Sequence, residues 1–375
     1  MKNTLFVLLS LLLSVSCKEH KQQNAEALQN EYTVRQIDIP SSADILELKS
    51  YNVTAPIDFD SIKGFIAYNY RTHSLDLVNL HGEHHISSIS LQREGPDGIQ
   101  REICGICPTS EDSIWVYDTV AMYLLNKSGK VQHKIILGNR ESIMINANYA
   151  MNTAKFIYNS AHHSLLYPAK RNSFVIEEYD IQQEKVIKTY PLSYAESNPE
   201  GALVYGDMDY PNVSFTENNI IYNYPYESAI YVLHMDSGKH STIKAESHYT
   251  PNQAQQCIQN GSAAWEKHRI ENIHFYEVMY VPQANRYYRL HTNGVEYDTN
   301  QSVLSMLDSR SIYLMTFDKD FKPVSEHKLA DKRYNYFTGW CALSDALLLF
   351  NENSLSESTD YEGISMDLIS NEAEF

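Results

Sequence analysis

Leu75-Asp-Leu-Val-Asn-Leu-His-Gly82, followed by HISSISL at 85–91, is an apolar run, a turn ending in glycine and a second run. Alternation at period two over such short runs marks β-strands, and glycine in the connection marks a hairpin. The unit returns as MYLLNKSG at 122–129 with 131–137, as 174–179 with 186–192, and as 230–235, turning at 236–238, with 241–245. A fifth copy runs from 312 to 317, turns at 318–322 and continues from 324 to 329. A further strand precedes each copy, at 65–69, 114–118, 165–169, 220–224 and 287–291, with weaker first strands upstream at 106–109, 156–159, 213–216 and 274–280. The first four copies start at 75, 122, 174 and 230, a spacing of 47–56 residues. Four strands at that period is the pattern of propeller blades.

A sixth unit has three strands, 340–343, 346–350 and 364–369, before the chain ends. The missing strand is supplied by YTVRQIDI at 32–39, which alternates and has no local partner. Pairing it with the last blade closes the ring and protects two sheet edges. The expectation is an all-β fold, a six-bladed β-propeller closed by an N-terminal strand; a seven-bladed ring and a pair of β-sandwiches are the alternatives. The interval from the fourth to the fifth copy is 82 residues, and the Ala, Gln and Glu content of 251–269 predicts a short helical insertion there.

The chain begins with a signal. Lys2 precedes an apolar stretch at 5–13, broken only by Ser10 and too short to cross a hydrocarbon core of about 30 Å. Small residues at 14–16 then precede Cys17, the arrangement read by a lipoprotein signal peptidase. The expected organisation is a signal peptide at 1–16, a lipidated Cys17 with a polar tether to 31, and the propeller at 32–375. Acyl chains supply about 0.8 kcal/mol per buried methylene, so lipid on Cys17 holds the protein at the membrane. The expected location is the cell envelope, as an outer membrane lipoprotein. Cleavage leaves 29 Lys and Arg against 47 Asp and Glu, a net charge of −18, which argues against a nucleic-acid partner. Cys104 and Cys107 form a C-x-x-C without the second pair a structural zinc site needs, and are read as thiols on a strand.

Connections from each outer strand to the next inner strand gather around a propeller's channel, and here they are polar. Arg93, Glu94, Asp97 and Arg101 in the first, Asn139 and Arg140 in the second, and Glu196, Glu200 and Asp207 in the third are the ligand-binding candidates, expected near the channel mouth. The bland reading of Gly95-Pro96-Asp97-Gly98 is a tight turn. Six irregular tyrosine-rich blades, the Cys17 signal and LQREGPDGI at 91–99 together resemble a family of six-bladed propeller lipoproteins of Bacteroidota, catalogued as a domain of unknown function. The resemblance covers about 30–375; it implies the fold and an envelope location and carries no catalytic residues.

His81, His84, His85, His162 and His163 read as turn and edge residues, since no third ligand converges with them in sequence. The 28 tyrosines read as packing between blades, with Trp265 and Trp340 as candidates for stacking on a sugar ring. Asp60, Asp112 and Asp118 each open a three-residue pattern resembling an O-glycosylation acceptor. No nucleophile elbow, phosphate loop, zincin or dinucleotide motif occurs, so no cofactor and no catalytic residue is implied. The function expected is an envelope-anchored interaction module for a protein partner or a small extracellular ligand such as a glycan. The alternative is a lactonase-like propeller hydrolase with a metal in the channel.

Overall fold

The computed structural model describes residues 33–40, 50–137, 153–192, 205–334, 339–351 and 363–370. Strand β1 (Thr33–Pro40) comes first. Blade one is β2 (Thr54–Asp58), β3 (Lys63–Asn69), β4 (Ser74–Asn79) and β5 (His85–Ser90). Blade two is β6 (Gly105–Ser110), β7 (Ser113–Tyr117), β8 (Ala121–Leu125) and β9 (Val131–Ile136). Blade three is β10 (Ile157–Asn159), β11 (Ser164–Lys170), β12 (Phe174–Asp180) and β13 (Lys185–Pro191). Blade four is β14 (Asn212–Phe215), β15 (Asn219–Asn223), β16 (Ile230–His234) and β17 (His240–Ile243). Blade five is β18 (His274–Val281), β19 (Arg286–Thr292), β20 (Ile312–Phe317) and β21 (Pro323–Lys328). Blade six combines β22 (Trp340–Ala342), β23 (Leu347–Phe350) and β24 (Gly363–Ser370) with β1 on its outer edge. The β1–β24 ladder runs antiparallel from Thr33 opposite Ser370 to Pro40 opposite Gly363. The fold is the expected six-bladed β-propeller, closed by the N-terminal strand.

Burial explains why the middle strands read as apolar runs. β4, β12 and β16 are buried along nearly their whole length because both faces of a blade pack against neighbouring blades, whereas outer strands such as β5 and β13 expose most side chains. The apolar clusters accordingly lie in the seams. Phe65, Val78, Leu348 and Met366 join blades six and one; Ile66, Leu75, Val116 and Tyr123 join one and two; Trp115, Tyr117, Tyr167 and Val175 join two and three.

Tyrosine also serves polar groups within the blades. Third-strand carboxylates recur: Asp76 accepts from Tyr51, Asn69, Ser74 and Ser88 at 2.7–2.9 Å, and Glu178 from His162, Ser164 and Tyr190 at 2.8–3.2 Å. Asp367 accepts from Arg333, Tyr334 and Asn351 at 2.6–3.1 Å. A buried charge needs such saturation to offset its desolvation.

The insertion before blade five is helical only at Ser262–Glu271 (α1), shorter and later than 251–269. Residues 251–255 are held outside the helix by tertiary hydrogen bonds instead. Ala254 N–H donates to the Tyr226 carbonyl at 2.7 Å, Gln253 to the Tyr205 hydroxyl at 2.9 Å and Gln255 N–H to Asn272 Oδ1 at 2.8 Å. A second helix, α2 (Val303–Asp308), lies between β19 and β20 and is capped by Ser302. Just after α2, buried Arg310 donates to the carbonyls of Arg269, Ile270 and Asn272 at the end of α1.

Candidate binding site in the central channel

Inner strands β2, β6, β10, β14, β18 and β22 surround a cavity of about 560 Å³. Its walls are mostly apolar, with Ile57, Ile106, Phe156, Phe215, Met279 and Leu343 among them. Into this lining project a cation from the entry to blade three and a buried anion from blade five; a second lining carboxylate, Asp58, is exposed and paired with Lys63 at 3.1 Å. Lys155, just before β10, places Nζ 3.0 Å from Oε1 of Glu277 on β18, and the same oxygen accepts from Trp340 Nε1 at 2.9 Å. Glu277 is 8% exposed and Lys155 36%.

Local structure sets this geometry. β18 reads HFYEVMYV, and its register against β19 shifts between Phe275 and Val278, so Tyr276 and Glu277 together oppose Leu290. A bulge of this kind re-aims a side chain that strict alternation would have sent elsewhere. Lys155 is placed by the residue before it, whose N–H donates to the Cys104 carbonyl at 2.6 Å and ties the blade-three entry to blade two. Trp340 packs edge-on to Tyr276, with ring centroids 5.3 Å apart. Its own carbonyl accepts from the Thr54 hydroxyl at 2.8 Å.

Two thiols line the same cavity. Burial pushes Cys341 up to about 12, against the opposing pull of Lys155 and Thr54, and pushes Cys107 up to about 11. Both are therefore neutral thiols at physiological pH. Cys104, Cys107, Cys257 and Cys341 are all free. The hydroxyl of Ser214, also on the lining, is buried with no hydrogen-bond partner among the described residues.

The loop candidates sit elsewhere. Arg93, Glu94, Asp97 and Arg101 are not on the cavity lining. They belong to the β5–β6 connection, where Gly98 N–H donates to the Gly95 carbonyl at 3.1 Å and Ile99 N–H to the Gln92 carbonyl at 2.7 Å. Arg93 donates to the Gln100 carbonyl, Arg101 to the Thr119 hydroxyl, and Asp97 Oδ1 accepts from Val131 N–H, each at 3.1 Å. Glu94 is exposed. Cys17, Asn139, Arg140, Glu196 and Glu200 lie outside the described residues, and Asp207 is described only in its backbone, within the 3₁₀ helix Gly206–Asp209.

Of the two tryptophans, Trp265 packs against Gly206, where a Cβ would meet its ring at 2.8 Å, and Trp340 is on the cavity. His162 and His163 occupy the β10–β11 turn, hydrogen-bonded to Glu178 and Tyr158. Among the described residues no three His, Cys, Asp or Glu side chains converge in a way that could hold a metal ion, and no helix is long and apolar enough to cross a membrane. Sequence reasoning missed Lys155 and Glu277. The available signal was a lone carboxylate inside an otherwise apolar strand, since such groups are almost never buried unless paired.

Comparison with known proteins places this architecture. A Bacteroides vulgatus protein of known structure, a member of the DUF4221 family, superposes with a TM-score of 0.74 at 16% identity, covering 92% of this chain and 100% of the other. A predicted exported protein of Bacteroides fragilis superposes with a TM-score of 0.56 at 11% identity, over 91% of this chain and 95% of the other. No curated protein matches the chain. Residues 50–328 match a family described as a domain of unknown function, and the chain belongs to that family, DUF4221.

Proposed function

We propose that this protein is an exported, lipid-anchored propeller that acts as a binding module, with a small ligand received in the central channel. The observation that carries the reading is the 560 Å³ cavity in which a mostly apolar wall surrounds a few convergent polar groups. Small-molecule sites have this composition and volumes of about 300–1,000 Å³. A cavity of this volume suits a small ligand better than a folded partner. A metal-dependent hydrolase would need a convergent donor set, and the described residues supply none.

Export and anchoring are supported by the 1–16 signal, by Cys17 and by the name of the Bacteroides fragilis neighbour. The test of anchoring is fractionation. Wild type should pellet with membranes, and Cys17→Ala should move to the aqueous fraction; a variant that still pellets overturns the lipid anchor. The test of binding is thermal denaturation in the presence of a small-molecule extract of the envelope. A saturable rise in Tm that disappears in Ser344→Trp, which crowds the cavity, supports channel binding; a rise that survives the substitution refutes it.

A further inference from the structure

We infer that the channel selects a net-neutral, dipolar ligand with an apolar body, of the class of apolar α-amino acid zwitterions; the inference rests on the channel being a ligand site. Lys155 and Glu277 cancel in charge but not in hydrogen-bonding capacity. An ammonium has three donors, and the contact recorded for Lys155 is the one to Glu277. Glu277, a lining residue, uses Oε1 for both Lys155 and Trp340, while Oε2 receives no hydrogen bond from the described residues and is not fully buried. Among the described residues the pair therefore offers two unused ammonium donors and one carboxylate acceptor side by side.

Charge decides which ligand these groups favour. In a largely apolar chamber, a lone carboxylate drawn to Lys155 would lie beside Glu277, and a lone amine drawn to Glu277 would lie beside Lys155. A zwitterion avoids both penalties by setting its carboxylate toward Lys155 and its ammonium toward Glu277 Oε2. The rest of the ligand meets Ile57, Ile106, Phe156, Phe215, Met279 and Leu343, where a sugar would leave hydroxyls unpaired. Ser214 Oγ, unpartnered among the described residues, adds one further polar group on the neighbouring inner strand. A large apolar side chain fits such a wall, and a second charge does not.

The experiment is calorimetric titration of the full chain with L-phenylalanine, 3-phenylpropanoate, phenethylamine and maltose. It is paired with mass-spectrometric measurement of Cys107 alkylation at pH 9, because Cys107 is on the cavity wall. L-Phenylalanine should bind at least tenfold more tightly than the analogue lacking either charge, and should slow Cys107 alkylation. Glu277→Gln keeps an acceptor for Trp340 and should weaken phenylalanine binding at least tenfold. Lys155→Met/Glu277→Gln leaves no unpaired charge, guards against a folding defect, and should bind phenylalanine and 3-phenylpropanoate equally. Wild-type affinities that are equal for these two ligands overturn the inference, as does preference for maltose. Protection of Cys107 by an envelope extract without protection by any amino acid overturns the ligand class and leaves channel binding standing. Protection by neither overturns both.

Discussion

Asp97 joins two blades through one hydrogen bond to Val131 at the start of β9, and Gly129 just before that strand comes so close to β5 that a Cβ would lie 2.6 Å from the Ser90 carbonyl oxygen. Gly129 also has φ 76°, where a side chain adds strain. Asp97→Ala should therefore cost about 1–2 kcal/mol in urea denaturation by orphaning a backbone donor, and Gly129→Ala about 2 kcal/mol. Neither should change occupancy of the channel. A loss of ligand binding in Asp97→Ala at full stability would instead return the β5–β6 turn to the functional surface. Burial orders the cysteines in a comparable way. Cys104 and Cys341, both buried and pushed up to about 12, should resist iodoacetamide at pH 8, while the half-buried Cys257 reacts first; peptide mass spectrometry reads the order. The GPDG turn was legible at this scale because glycine and proline carry local rules. Trp340 stood out as an aromatic candidate, but its meeting with Lys155 and Glu277 was not legible, because the three belong to three blades and become neighbours only through ring geometry and a bulge.

Strands with both faces buried write continuous apolar runs, so β4, β8, β12, β16 and β20 were plain in the sequence. β2, only five residues long and with just Ala55 and Ile57 buried, was not singled out. The helical insertion was legible by excess length, but its start was misplaced, because hydrogen bonds to Tyr205, Tyr226 and Asn272 outweigh the weak helix propensity of residues 251–255. The short α2 gave no signal beyond Ser302. The closing strand β1 was recognised because a well-alternating run without a local partner needs an edge. Its Ile37 and Ile39 are buried at 3% and 2% against the blade-six core. Ile39→Ala should cost about 2–4 kcal/mol. Removing residues 33–40 should lower the unfolding midpoint further and promote association through the bare β24 edge, which light scattering detects. A deletion that stays monomeric with an unchanged midpoint would show that β1 does not close the ring.

Around the whole ring, buried titratable groups are held in the forms that acid destroys. Burial, with Arg310 and Arg269 nearby, holds His274 well below the usual imidazole range; burial outweighs Glu326 in lowering His291; burial and Arg93 lower His73. For a histidine lowered on folding, the unfolded chain binds more protons between the two values. Its contribution is complete above about 6.5, the unfolded value, and is lost as pH falls below it. Glu178 and Glu326 are lowered although burial opposes it, because hydrogen bonds from His162, Ser164 and Tyr190, and from His291, His248 N–H and Ser247, prevail. Their contribution is present above about 4.3 and is lost on further acidification. One effect runs the other way: protonation relieves the self-repulsion of a chain with net charge −17. At 0.15 M salt the screening length is about 8 Å, which weakens that surface effect more than the buried one. Stability measured by urea denaturation at 0.15 M salt should therefore decline from pH 7 to pH 5 and more steeply below pH 4.5. His274→Gln should flatten the upper segment while leaving the lower one in place. A curve that rises between pH 7 and pH 5 would mean that surface repulsion, and not the buried histidines, governs the pH response of the ring.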